Sequence, residues 1–121
     1  LISPDEQFLK QITHIIEESL SDPDLNVTTL CQKSGINDKQ VYRKIKQLTG
    51  MSVVEYTRSI SLKKAAMFLR QDKLSVSEIM YLVGFSNASY FTRCFKEEYG
   101  VSPKEFTRQN NTSKHDKPTE N

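Results

Sequence analysis

The sequence predicts an all-α protein of about seven helices, in which two similar helical units are joined by one long central helix. Three observations support this fold class. Apolar residues recur at helical spacing along most of the chain, and no stretch shows the sustained alternation of a half-buried strand. Glycines follow several of these apolar segments, where a left-handed helix end costs glycine little. A stretch of sequence also repeats at an offset of 50 residues.

The elements follow from their start and stop signals. A first helix is expected after Ser3, because Pro4 and the acidic residues behind it suit a helix N-terminus, and it ends at the turn of residues 21–24. The later helices are expected over about 28–34, 38–49, 53–71, 76–83, 88–99 and 103–108. Asn37 or Asp38 is expected to cap the third helix, and Ser86 or Asn87 the sixth.

The repeat pairs residues 43–58 with residues 93–108. Identical pairs are Arg43/Arg93, Lys46/Lys96, Gly50/Gly100, Ser52/Ser102, Glu55/Glu105, Thr57/Thr107 and Arg58/Arg108. Each copy follows a short helix and a turn that contains glycine, which is the helix-turn-helix arrangement. The sequence therefore predicts two homeodomain-like helix-turn-helix units, at about 27–49 and 75–99. The linker helix at about 53–71 would be roughly 28 Å long, close to the roughly 34 Å between successive turns of a major groove.

Charge is distributed unevenly along the chain. Residues 1–25 carry a net charge of −5, whereas residues 26–108 carry +7. A basic region favours a polyanionic partner, although a solvated surface explains the same charges equally well. Cys31 and Cys94 lack Cys-x-x-Cys spacing, which favours a reduced, intracellular chain. No apolar run is long enough to span a membrane.

One face of each second helix is predicted to read DNA. On a helical wheel, Val41 and Ile45 define the core side of the first copy, and Phe91 and Phe95 that of the second. The residues predicted to contact bases are Lys39, Gln40, Tyr42, Arg43, Ser89, Thr92 and Arg93. The residues predicted to contact the DNA backbone are Lys44, Lys46, Asn87 and Lys96. Arginine can fork onto guanine, while the shorter polar groups can contact several base edges.

Other readings of individual residues stay open. Tyr42 and Tyr90 suit either DNA contact or partial burial in the core. Arg58 and Arg108 are interpreted as structural, as partners of Glu55 and Glu105 or of neighbouring helices. His14 and His115 have no second ligand at metal-binding spacing. There is no phosphate-binding glycine loop and no candidate nucleophile or acid–base pair, so neither an enzyme nor a cofactor is expected.

Residues 35–50 and 84–106 closely resemble the DNA-binding domain of AraC/XylS-family transcription regulators. The resemblance covers about residues 26–108. It implies a seven-helix domain with two helix-turn-helix units joined by a central helix. The reading helices, at about 38–49 and 87–99, would enter successive major grooves of double-stranded DNA.

The lead-in of residues 5–25 is similar to a subgroup in which this domain is the C-terminal output module of a response regulator or a hybrid histidine kinase. That likeness implies control by upstream phosphorylation, homodimerisation through an N-terminal region, contact with RNA polymerase and a cytoplasmic location for this domain. Residues 1–25 would form a coupling helix or simply a packing helix. Residues 109–121 contain no large apolar side chain and are expected to form a disordered tail.

Two alternatives to sequence-specific DNA binding remain at this point. One is a helical interaction module whose basic face meets an acidic protein. The other is a nonspecific nucleic-acid binder, against which stands the absence of apolar wedges on the predicted reading faces.

Overall fold

The computed structural model describes residues 1–115, with side chains described as far as residue 111. This part of the chain contains seven α-helices and no strand, which confirms the predicted fold class. The helices are α1 Pro4–Glu18, α2 Val27–Ser34, α3 Asp38–Thr49, α4 Val53–Gln71, α5 Val76–Leu82, α6 Ala88–Tyr99 and α7 Pro103–His115. They form two compact units, Leu1–Ser61 and Leu62–Asn121, whose boundary falls within α4.

Side-chain caps fix where the helices begin. Asn37 caps α3 by accepting the N–H of Gln40 at 2.9 Å, and Asn87 caps α6 by accepting the N–H of Tyr90 at 2.8 Å. Of the residues considered for these caps, the two asparagines therefore make them. Each cap satisfies one of the N–H groups that a helix start leaves without a partner.

Glycine in the left-handed conformation ends both helices of the first helix-turn-helix. Gly35 and Gly50 each have φ of +75°, and their N–H groups bond to the carbonyl oxygens of Cys31 and Lys46. Other residue types adopt this backbone conformation only at an energetic cost. These glycines end one helix and let the chain turn before the next helix starts.

The core of the first unit is shared by α1, α2 and α3. Phe8, Ile12 and Ile16 line one side of α1, and the last two are fully buried. They pack with apolar residues of the other two helices, namely Leu30, Val41 and Ile45. A hydrogen bond of 2.7 Å between Thr13 and Tyr56 joins α1 to the start of α4. Helix α1 is thus part of this unit's hydrophobic core.

Aromatic rings dominate the core of the second unit. Phe91 lies 5.0 Å from Phe85 and 6.1 Å from Phe95, measured between ring centroids. Phe95 continues this chain of contacts to Tyr99 and, edge-on, to Phe106 of α7. Desolvation by these neighbours raises the pKa of Tyr99 above its usual range. The predicted core roles of Phe91 and Phe95 are confirmed.

Helix α7 is longer than the sequence predicts. It was expected to end near residue 108, but it continues to His115. Asn110 donates a hydrogen bond to the carbonyl of Phe106, and Asn111 donates one to the carboxylate of Asp72, each at 2.8 Å. Such polar contacts hold the first of the added turns, so the absence of apolar residues there was a misleading signal. Residues 116–121 of the predicted disordered tail lie outside the described residues.

Candidate nucleic-acid interface

Helix α3 turns one face to the core and the opposite face to solvent. Val41 and Ile45 are 0% exposed, whereas Tyr42 is 54% exposed. The exposed face brings together four of the predicted contact residues, Lys39, Tyr42, Arg43 and Lys46. This face is basic and is supported by a rigid apolar layer. An exposed helix face with this charge is of the kind that can enter a major groove.

Two polar contacts organise this face. Gln40 is half-buried, and its Oε1 accepts a hydrogen bond from Nη2 of Arg43, one turn further along the helix. Lys46 donates to the carbonyl of Gly50 at 3.0 Å, so its ammonium lies at the C-terminal end of α3. The helix dipole favours a cation at that end. Arg43 is therefore held over the middle of the face and Lys46 at its margin.

Lys44 does not lie with the other predicted contact residues. Its Nζ forms an ion pair of 3.0 Å with Asp5 of α1, and it lies 5.5 Å from the centre of the Phe8 ring. Its position one residue beyond Arg43 turns it about 100° around the helix axis, towards α1. Lys44 therefore contacts α1, and its predicted contact with the DNA backbone stays a prediction.

Helix α6 repeats the arrangement with different side chains. Phe91 and Phe95 are buried, while Ser89, Arg93 and Lys96 are exposed and Thr92 is half-buried. Asn87, a predicted backbone contact, already caps α6 with its Oδ1. The second face carries one cationic group fewer than the first, because Ser89 stands where α3 has Lys39.

Arg93 is also held by its own helix. Its Cζ lies 5.2 Å from the centre of the Tyr90 ring, within the range of a cation–π contact. The Tyr90 ring in turn lies 5.7 Å from Phe85 at the edge of the aromatic core. Tyr90 thus borders the core, as one of the two roles considered for it expects, and its ring also contacts an exposed arginine; its contact with DNA stays a prediction.

The repeated Glu and Arg residues serve the fold in two different ways. Glu55 and Ser52 form a reciprocal capping box at the start of α4, with bonds of 2.9 and 3.1 Å. The hydrogen bond from the Ser52 backbone is the main reason that the pKa of Glu55 lies below its usual value. Glu105 instead accepts from Arg108 Nε at 2.9 Å, and this bond lowers its pKa.

The supporting roles of Gln40 and Tyr90 were not predicted. Both residues precede an exposed arginine by three positions, a spacing that places side chains next to each other on a helix. They also occupy equivalent positions in the repeat, at the offset of 50 residues. The three-residue spacing together with the equivalent positions in the repeat could have predicted that these residues contact the arginines.

Other kinds of site find no support in the described part of the chain. Among the side chains that the structure describes, up to residue 111, no three or more His, Cys, Asp or Glu lie together where they would hold a metal ion. Within the same range, the helices are too short or too polar to cross a bilayer.

Comparison with known proteins gives consistent matches. The model of a family described as a helix-turn-helix domain matches residues 7–109. Histidine kinase P4 of Formosa agariphila is 33% identical over 104 residues, which cover 86% of this chain but only 8% of the kinase. The C-terminal domain of AraT, a response regulator from Geobacillus stearothermophilus, superimposes with a TM-score of 0.73 and 29% identity, over 88% of this chain and 86% of that domain.

A second solved structure shares the fold at lower sequence identity. The DNA-binding domain of AdpA, solved in complex with a target DNA, superimposes with a TM-score of 0.77 and 19% identity. The match covers 89% of this chain and 96% of that domain.

Proposed function

The chain belongs to the AraC-type family of helix-turn-helix DNA-binding transcription regulators, and we propose that it binds a specific double-stranded DNA site with both of its units. Helix α3 reads one major groove and α6 reads the next. The family's domain is a binding fold without catalytic machinery, so this chain is not an enzyme.

The observation that carries this proposal is the recurrence of one exposed arginine at the same place in both units. Arg43 and Arg93 each lie on the second helix of a helix-turn-helix, opposite a fully buried apolar pair. A guanidinium in that position can donate two parallel hydrogen bonds to O6 and N7 of guanine. Lys39, Gln40, Tyr42, Ser89 and Thr92 complete the proposed base contacts.

The remaining cationic residues of the two faces supply affinity that does not depend on sequence. Lys46 and Lys96 lie towards the C-terminal ends of α3 and α6, where they suit phosphate groups at the groove edge. Each neutralised phosphate releases counterions, so binding weakens as salt rises. Because the first face is the more basic, we propose that the first unit contributes more to the salt-dependent affinity.

We further propose that the chain is the output domain of a two-component protein. Support comes from its likeness to a histidine kinase and to the C-terminal domain of a response regulator. Because Phe8, Ile12 and Ile16 anchor α1 in the first unit's core, a change upstream of α1 would reach α3 through packing. Control by a phosphorelay, dimerisation through an N-terminal region, contact with RNA polymerase and a cytoplasmic location belong to the same proposal.

In-vitro selection tests the DNA-binding proposal directly. The chain would be incubated with a randomised duplex of about 30 bp, long enough for two half-sites one helical turn apart. Two enriched blocks with centres about ten base pairs apart are expected. One block would limit sequence reading to a single unit. No enrichment, with binding lost in moderate salt, would replace the proposal with nonspecific binding. No DNA binding would favour a protein-interaction module.

A further inference from the structure

The two exposed arginines are held by residues at the same position of the repeat, but through different chemistry. Gln40 accepts a hydrogen bond from Nη2 of Arg43, whereas the guanidinium of Arg93 lies over the ring of Tyr90 in a cation–π contact. Both supports lie three residues before the arginine they hold. A helix places such residues side by side, so neither contact needs a distant part of the fold.

The two contacts leave the arginines with different numbers of N–H donors for hydrogen bonds to a base. A guanidinium has five N–H donors in its plane, and Arg43 already uses one of them on Gln40. The Tyr90 contact is made with the π face of its ring and not with a hydrogen-bond acceptor, so it uses none of the N–H donors of Arg93. The contact also restricts the Arg93 side chain, which reduces the conformational entropy that this side chain loses on binding.

We propose that Tyr90 is a positioning residue that holds Arg93 in the orientation for reading a guanine, and that this pair sets the specificity of the second unit. The inference rests on the proposed function and adds a role for a residue that need not touch DNA. It also assigns the strongest single-base requirement of the binding site to the second unit, although the first unit has the more basic face.

The test measures base discrimination by the intact 121-residue chain on the duplex obtained by selection. The Arg93→Ala variant first identifies the base pair whose preference it relaxes. Discrimination is then the ratio of Kd values for duplexes with and without guanine at that position. Tyr90→Phe keeps the ring and should keep the wild-type ratio. Tyr90→Leu removes the ring and should lower the ratio about two- to fivefold, the worth of an exposed cation–π contact.

Two further variants separate positioning from a structural effect. Tyr90→Gln places in the second unit the residue that holds Arg43 in the first, and its ratio should fall between those of the Phe and Leu variants. Tyr81→Leu removes an exposed tyrosine from α5, outside the proposed contact residues, and should leave the ratio at the Arg93 base pair unchanged. An unaltered ratio in Tyr90→Leu, or an equal loss of affinity for every sequence, would overturn the inference.

A measurement without DNA distinguishes this inference from the proposed function. Ring current from Tyr90 should shift the NMR signals of the Arg93 δ protons upfield in the wild type and in Tyr90→Phe, and not in Tyr90→Leu. Absence of the shift in the wild type would refute the contact, whatever the DNA result. Presence of the shift in a protein that prefers no DNA sequence would reject the proposed function and with it the reading role of the pair.

Discussion

The ammonium group of Lys44 lies 3.0 Å from the carboxylate of Asp5, so helix α3 is tied to α1 by an ion pair. The Lys44 side chain is only 23% exposed, while that of Asp5 is 54% exposed. The sequence predicts a contact of Lys44 with the DNA backbone, and the structure shows that its ammonium group already has an anionic partner on α1.

Lys44 and Lys46 form a matched pair for testing this distinction. Lys46→Ala should weaken binding to all DNA sequences alike and reduce the slope of log K against log salt by about 1. Lys44→Ala should leave that slope unchanged, because its charge faces α1. Its cost should be a loss of less than about 1 kcal/mol in the free energy of unfolding. Equal changes in slope for the two variants would place Lys44 on the DNA.

Helix α1 should contribute to the stability of the first unit through its buried side chains. Ile12 is 0% exposed, and its truncation to alanine leaves a cavity among α1, α2 and α3. The Ile12→Ala variant should lose about 2–5 kcal/mol of unfolding free energy. Hydrogen exchange of the α2 and α3 amides would measure the loss within this unit.

The control for Ile12→Ala is Lys10→Ala, an exposed change on the same helix that should stay within about 0.5 kcal/mol of the wild type. If the two variants exchanged alike, α1 would be an appendage rather than part of the core.

Gly50 should resist replacement for reasons of backbone conformation alone. Its φ is +75°, and a Cβ placed there would meet nothing within 4 Å. Gly50→Ala should therefore cost about 1–2 kcal/mol from the left-handed conformation. Gly50→Asn should cost less, since asparagine tolerates that region better. Denaturant unfolding of the three proteins gives the order, and a neutral Gly50→Ala would show that the turn can take another conformation.

Acid should weaken the start of α5. The hydrogen bond from the Ser75 backbone is the main cause that lowers the pKa of Glu78 below its ordinary value of 4.5. A carboxyl group whose pKa is lowered by folding stabilises the folded state above 4.5, and this stabilisation is lost as pH falls through the folded-state pKa. The stability of the folded state falls in acid because the unfolded chain, in which the Glu78 pKa is higher, binds the proton more readily.

The Glu78→Gln variant should consequently melt below the wild type at pH 7, with a difference in Tm that shrinks in acid. Thermal melts from pH 7 to pH 3 would follow this difference. Glu97→Gln removes a charge from an exposed site of α6 and serves as the control. A difference for Glu78→Gln that stayed constant with pH would show that its carboxylate does not contribute through the cap.

Much of this architecture follows from local rules that the sequence obeys twice. Each of these rules acts over one or two turns of helix. They concern the glycines at 35 and 50, the asparagine caps, and the apolar pairs of α3 and α6. Because the repeat shows the same residue types at equivalent positions, their structural roles could be predicted. The end of α7 could not be predicted in the same way. Its last turns rely on contacts such as Asn111 with Asp72, two residues 39 positions apart.

The exposed faces of α3 and α6 could be predicted from the sequence only in part, for a related reason. Helical spacing correctly separated Val41 from Arg43 because burial depends on one angle around the helix. It did not reveal that Lys44 pairs with a carboxylate of α1, a contact that requires knowledge of how two helices pack. The contact between Tyr90 and Arg93 could have been predicted, since it joins neighbours on one helix. A tyrosine at that position, however, also suits the core.

Arg43 should be a base contact rather than a general source of positive charge. Its guanidinium lies on the exposed face of α3 and is held there by Gln40. Arg43→Ala should cost about 1–3 kcal/mol of binding free energy on the selected duplex and relax the preference at one base pair.

The control is Arg108→Ala, which removes an arginine whose Nε donates to Glu105 at 2.9 Å, and it should leave the preference at every position intact. Measuring Kd on a panel of single-base variants separates the two outcomes. A uniform loss across the panel for Arg43→Ala would make this arginine a phosphate contact, and base reading by the first unit would then depend on Lys39, Gln40 and Tyr42.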